Sequence, residues 1–69
     1  MTRARLETAR FALASACRAR GERITSDEEA LIDLLTDLRH LCAAEGIPFD
    51  DCARISLDHF TAEAEEALS

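Results

Sequence analysis

Two glycines and one proline divide the 69-residue chain into three stretches, each long enough to form a helix. Gly21 follows a stretch rich in alanine and arginine, and Gly46 stands two residues before Pro48. Glycine commonly occupies the left-handed position that ends a helix, and proline cannot continue one. The spacing therefore predicts helices near residues 2–20, 26–45 and 49–67.

The start of the second helix has its own signal. Thr25-Ser26-Asp27-Glu28 fits a capping box, and Ser26-Asp27-Glu28-Glu29 fits one a residue later. Acidic residues in a first turn also interact favourably with the positive end of the helix dipole. Both alternatives place the helix start within one residue of position 26.

Apolar residues recur at helical spacing in all three stretches, which predicts an all-α fold. The short link from Gly46 to Pro48 should return helix 3 antiparallel to helix 2. Helix 1 then covers this hairpin, giving a small three-helix bundle over a single domain, residues 1–69. The large side chains expected in its core are Leu13, Leu31, Leu34, Leu38, Leu41, Phe49 and Phe60.

A core this small gives a chain reason to recruit a partner, because fewer than roughly 70–80 residues seldom bury enough apolar surface alone. Phe11 falls on the side of helix 1 opposite Leu6 and Leu13, with Ala4 and Ser15 nearby. We therefore expect a two-fold dimer in which helix 1 packs on its mate through Phe11. The alternative is that Phe11 anchors a foreign partner, as exposed aromatic residues often do.

Charge is unevenly distributed along the chain. Residues 1–23 carry six arginines against Glu7 and Glu22, net +4, whereas residues 24–69 carry two arginines against twelve acids, net −10. Clustered carboxylates create a field that steers basic partners. We expect a protein partner with a basic surface, and the residues expected to bind it are Glu29, Asp33, Asp37, Asp50, Asp51 and Asp58.

Metal binding and nucleic-acid binding each have a structural alternative. Glu29, Asp33, Asp37 and His40 share one face of helix 2 and could hold a hard metal ion, but no matching pair on another helix completes such a site, so a solvated acidic face is favoured. Direct binding of nucleic acid is not expected, because the arginines of helix 1 point in several directions and helix 3 is acidic.

Catalysis and cofactors are not expected either, since the chain has no phosphate-binding loop and no nucleophile motif. The odd number of cysteines does not form a disulfide framework, and Cys17 and Cys42 lie on apolar stripes where thiols behave as small hydrophobic groups. With no signal-like or membrane-spanning stretch, the chain is expected to be cytoplasmic.

The stretch from Asp27 to Glu63, DEEALIDLLTDLRHLCAAEGIPFDDCARISLDHFTAE, resembles the second helical hairpin of MazG-type all-α nucleotide pyrophosphatases. That resemblance implies a helical hairpin and metal-dependent nucleotide hydrolysis. The family holds magnesium through E-x-x-E and E-x-x-D pairs on neighbouring helices. Glu29 and Asp33 are instead four residues apart, and helix 1 has no partner pair.

The same segment also resembles short helical proteins of proteobacterial phages and plasmids, a group that includes small acidic anti-CRISPR inhibitors. This resemblance implies a stoichiometric inhibitor of a host nucleoprotein complex. The leading hypothesis is therefore a non-enzymatic protein-interaction protein whose acidic surface docks on a basic, nucleic-acid-binding partner. A degenerate or metal-dependent nucleotide pyrophosphatase is the alternative, and a small nucleic-acid-binding regulator is the third.

Overall fold

The computed structural model describes residues 2–21, 23 and 26–68, and the side chains in these ranges except at 2, 67 and 68. Three helices make up almost all of these residues: α1 (Thr2–Arg20), α2 (Asp27–Glu45) and α3 (Phe49–Leu68). No strand occurs among the residues described. The all-α class is confirmed, and each helix boundary lies within one residue of its predicted position.

Both predicted glycine stops are present. Gly21 and Gly46 have φ angles of 72° and 71°, in the left-handed region that other residues enter only with strain. After α2, the amide of Ile47 donates a 2.9 Å hydrogen bond to the carbonyl oxygen of Cys42. This bond, which spans five residues, is the 6→1 hydrogen bond of a Schellman motif. The left-handed conformation of Gly46 brings the Ile47 amide to this terminal carbonyl of α2 and turns the chain toward Pro48.

Ser26 caps the amino terminus of α2. Its Oγ accepts a 3.1 Å hydrogen bond from the backbone amide of Glu29, and its carbonyl oxygen accepts a 3.1 Å bond from the amide of Ala30. Of the capping box that begins at Ser26, the hydrogen bond to the serine hydroxyl is therefore confirmed. The alternative register begins at Thr25, which lies outside the residues described.

Two compact units divide the chain, residues 1–38 and residues 39–69. In the first unit α1 packs on the amino-terminal part of α2, and the buried side chains among its described residues are the small ones of Cys17 and Ala30. In the second unit the last turns of α2 meet the start of α3, where Cys42 and Phe49 are half-buried. Small side chains let two helices approach closely but bury little apolar area.

The predicted core was wrong in its membership, because none of the seven large side chains expected there is buried. Helical periodicity marks the apolar face of each helix, but it does not tell how much of that face a neighbour covers. The half-buried members of the expected set are Leu13, Leu34 and Phe49, and the exposed members are Leu31, Leu38, Leu41 and Phe60.

Enlarging Ala30 should therefore destabilise the fold. Ala30→Leu adds bulk at a buried position of the α1–α2 contact, and overpacking of this kind costs about 1–3 kcal/mol. Urea denaturation followed by circular dichroism measures the change. The control is Ala43→Leu, at an exposed position of the same helix, which should stay within about 0.5 kcal/mol of the wild type. Equal losses in the two variants would contradict the burial of Ala30.

Candidate functional site

Arg20, the last residue of α1, is held by two carboxylates of α2. Its Nη1 donates to both carboxylate oxygens of Asp37, at 3.1 and 3.0 Å, and its Nη2 lies 4.0 Å from Oδ2 of Asp33. Asp33 and Asp37 are one helical turn apart, so both lie on the side of α2 that meets α1. Two of the carboxylates expected to bind a partner are therefore engaged within the chain.

A third expected partner-binding residue, Asp50, is engaged at the turn between α2 and α3. Its Oδ1 accepts a 3.3 Å hydrogen bond from Nη1 of Arg39. The guanidinium carbon of Arg39 also lies 4.3 Å from the centre of the Phe49 ring, in cation–π geometry. Because the Arg39 and Asp50 side chains are both mostly exposed, this contact orients the start of α3 more than it stabilises the fold.

Asp51 and Asp58 remain as an exposed acidic row on α3, and the structure adds Glu65 to it. The three residues follow one another at intervals of seven, so they share one face of the helix over about 21 Å. None of them forms an ion pair with another described residue. Ile55 lies on the same face between Asp51 and Asp58, and its side chain is also exposed.

We call Asp51, Ile55, Asp58 and Glu65 the acidic face of α3. Sequence reasoning missed Glu65, although the interval of seven residues from Asp51 and Asp58 was a usable signal. It also missed Arg20 as the partner of Asp33 and Asp37, because periodicity does not show which residues meet across two helices. Glu29, the remaining expected residue, is exposed in the first turn of α2, within the other compact unit.

The four residues considered as metal ligands do not form a site. Among the described residues, no group of three or more His, Cys, Asp and Glu side chains is arranged to hold a metal ion. The arginine between Asp33 and Asp37 gives the physical reason, since its guanidinium occupies carboxylate oxygens that a cation would need. Glu29 and His40 are exposed on the same helix.

The expected self-association surface on α1 is only partly exposed to solvent. Phe11 is 71% exposed, as its position opposite Leu6 and Leu13 predicted, although Leu6 is exposed as well. Ala4 is exposed, but Ser15 is half-buried, and its Oγ accepts a 3.4 Å hydrogen bond from Nη2 of Arg18. A second helix could reach Phe11, but it would meet few other large apolar groups there.

All three cysteines are free thiols, with Cys17 buried, Cys42 half-buried and Cys52 exposed. The burial of Cys17 agrees with its place on the apolar stripe of α1. None of the helices, over the residues described, is long and apolar enough to cross a membrane.

No protein-family model matches the chain, and neither a curated protein nor a solved structure shows significant similarity to it.

The Arg20–Asp37 contact can be tested by a double-mutant cycle. Arg20→Gln and Asp37→Asn, singly and together, should give a coupling free energy of about 0.5 kcal/mol, because the pair is partly exposed and solvent screens it. Thermal or urea unfolding supplies the four free energies. The Arg3–Glu7 pair of α1, whose atoms lie 3.6 Å apart on two highly exposed side chains, is the control and should show a smaller coupling.

Divalent metal should leave the stability unchanged, because Arg20 competes for the carboxylates of Asp33 and Asp37. Millimolar Mg²⁺ or Mn²⁺ is therefore expected not to shift the melting temperature measured by differential scanning fluorimetry. A saturable rise would contradict this expectation, since a ligand that binds only the folded state stabilises it by mass action. If a rise were also seen in Asp37→Asn, the ion would be binding elsewhere.

Proposed function

We propose that the chain is a non-enzymatic protein-interaction protein that docks on a basic partner through the acidic face of α3. The observation that carries this proposal is the row of exposed carboxylates at Asp51, Asp58 and Glu65, with the exposed side chain of Ile55 between the first two. An exposed apolar side chain with a carboxylate one helical turn to either side has the composition of a small binding site, and Arg54 leaves this stretch acidic in net charge. Ile55 would be desolvated at its centre and the carboxylates would pair with cations at the rim.

The electrostatics of the chain support a basic partner. Residues 24–69 have a net charge of −10. Within the chain, arginine side chains form ion pairs with Asp33, Asp37 and Asp50. The field available to an incoming protein therefore comes in large part from the exposed acids of α3. Fields of this kind act mainly on the association rate, and they reject acidic partners by like-charge repulsion.

The partner we propose is a basic surface that otherwise holds nucleic acid. A rigid row of carboxylates offers such a surface the same sign of charge as a phosphate backbone. Together with the resemblance to small acidic inhibitors of phages and plasmids, this makes an anti-CRISPR-like inhibitor of a host nucleoprotein complex the specific form of the proposal. Such a complex operates in the cytoplasm, where the chain would act.

Phe11 is proposed as a separate anchor for a foreign partner. Its ring is largely exposed and has small residues beside it, which suits an aromatic side chain entering a pocket of another protein. Self-association through Phe11, Ala4 and Ser15 is the competing use of this surface. The two uses differ in the oligomeric state of the free chain.

Charge reversal on the acidic face should abolish docking while the helices remain intact. Purified CRISPR effector–guide complexes are the probes, and biolayer interferometry measures their binding to the chain. For a complex that binds the wild type, Asp51→Lys with Asp58→Lys should lower the association rate at least tenfold. Circular dichroism should show unchanged helicity.

The matched control makes the same change in net charge elsewhere. Glu7→Lys with Glu45→Lys also reverses two exposed acids, but neither lies on α3, so binding should fall by less than threefold. Raising the salt concentration should weaken wild-type binding by screening the same charges. Equal losses in the two double variants would show that net charge alone acts and would contradict a defined docking face.

A further inference from the structure

The turn between α2 and α3 forms an open cavity of about 330 Å³. Every residue that lines it lies between Arg39 and Asp51, so the cavity belongs to the second compact unit alone. Its volume is at the lower end of the range for ligand pockets. The cavity therefore has the size to hold one side chain of another protein rather than a large cofactor.

One wall of the cavity is apolar and is formed by Cys42, Ala43, Ile47 and Pro48. Hydrogen bonds on both sides of the turn hold this wall in place. The amide of Ile47 donates to the carbonyl oxygen of Cys42 at 2.9 Å, and the carbonyl oxygen of Pro48 accepts a 3.1 Å bond from the amide of Cys52. The wall is thus ordered before anything binds, which lowers the free-energy cost of binding.

The charged residues of the cavity are one arginine and two aspartates, Arg39, Asp50 and Asp51. The guanidinium of Arg39 is engaged, because it lies 4.3 Å from the centre of the Phe49 ring and its Nη1 is 3.3 Å from Oδ1 of Asp50. Asp51 forms no ion pair with another described residue. Its carboxylate is therefore available to a cation that enters the cavity.

We propose that this cavity receives an arginine side chain of the basic partner, with the apolar stem along the wall and the guanidinium paired with Asp51. The proposal rests on the docking function proposed above and names the group that the site recognises. Asp51 connects the two, because it lines the cavity and also begins the acidic face of α3.

The chemistry of the cavity favours arginine over other occupants. Arginine combines an apolar stem with a planar, weakly hydrated guanidinium that pairs with a carboxylate through parallel hydrogen bonds. A phosphate group or a carboxylate would be repelled by Asp50 and Asp51. An uncharged apolar side chain would desolvate Asp51 without giving it a hydrogen-bond partner, which is costly.

A titration of the full chain with N-acetyl-arginine amide, followed by heteronuclear NMR, tests the proposal without a protein partner. The amides of Ala43, Ile47 and Asp51 should shift and saturate together. N-acetyl-citrulline amide has nearly the same shape but no charge, and it should bind roughly fivefold more weakly, the scale of a partly exposed charge pair. Equal binding of the two compounds, or shifts that do not saturate, would overturn the proposal.

A pair of variants tests the role of Asp51 in the same titration. Asp51→Asn removes the pairing carboxylate and should weaken binding of the arginine amide roughly fivefold. Glu45→Gln removes an exposed acid near the same turn that does not line the cavity, so its affinity should stay at the wild-type value. Equal affinities in the two variants would overturn pairing with Asp51.

A second pair of variants tests the cavity without changing any charge. Ala43→Leu fills the cavity, whereas Ala44→Leu adds the same bulk at the next residue of α2, which does not line it. Both positions are exposed, so circular dichroism should show unchanged helicity. For an effector–guide complex that binds the wild type, Ala43→Leu should weaken binding at least tenfold and Ala44→Leu less than threefold. Equal effects would overturn the proposal.

The cavity and the docking function can fail separately. If Asp51→Lys with Asp58→Lys abolishes docking while Ala43→Leu binds like the wild type, the acidic face docks without the cavity and only the present proposal is overturned. If no effector–guide complex binds the wild type but the arginine amide saturates the cavity, docking on such complexes is overturned and recognition of arginine is supported.

Discussion

The amount of apolar surface that the helices bury governs the rest of this structure. Among the side chains described, Cys17 and Ala30 are the buried ones, and both are small. A contact between small side chains allows α1 and α2 to approach closely, but each small group contributes little transfer free energy, about 25 cal/mol for each Å² covered. The large leucines and phenylalanines that could contribute more are half-buried or exposed.

The arginines determine which carboxylates are available to other molecules. Arg20 engages Asp33 and Asp37, and Arg39 engages Asp50. A net charge read from the sequence counts all these acids equally, whereas the structure separates those with a partner in the chain from the row on α3. The proposed docking face therefore contains two of the six residues expected from the sequence, together with Ile55 and Glu65.

Local features were predictable because each depends on a few neighbouring residues. A left-handed glycine ends a helix wherever it stands, and Ser26 caps α2 with its own hydroxyl. The core was not predictable in the same way. Leu38 lies on the apolar arc of α2 yet remains 38% exposed, because burial depends on where other helices lie. The contact between Arg20 and Asp37 could not be predicted for the same reason, because it joins residues that are 17 positions apart in the sequence.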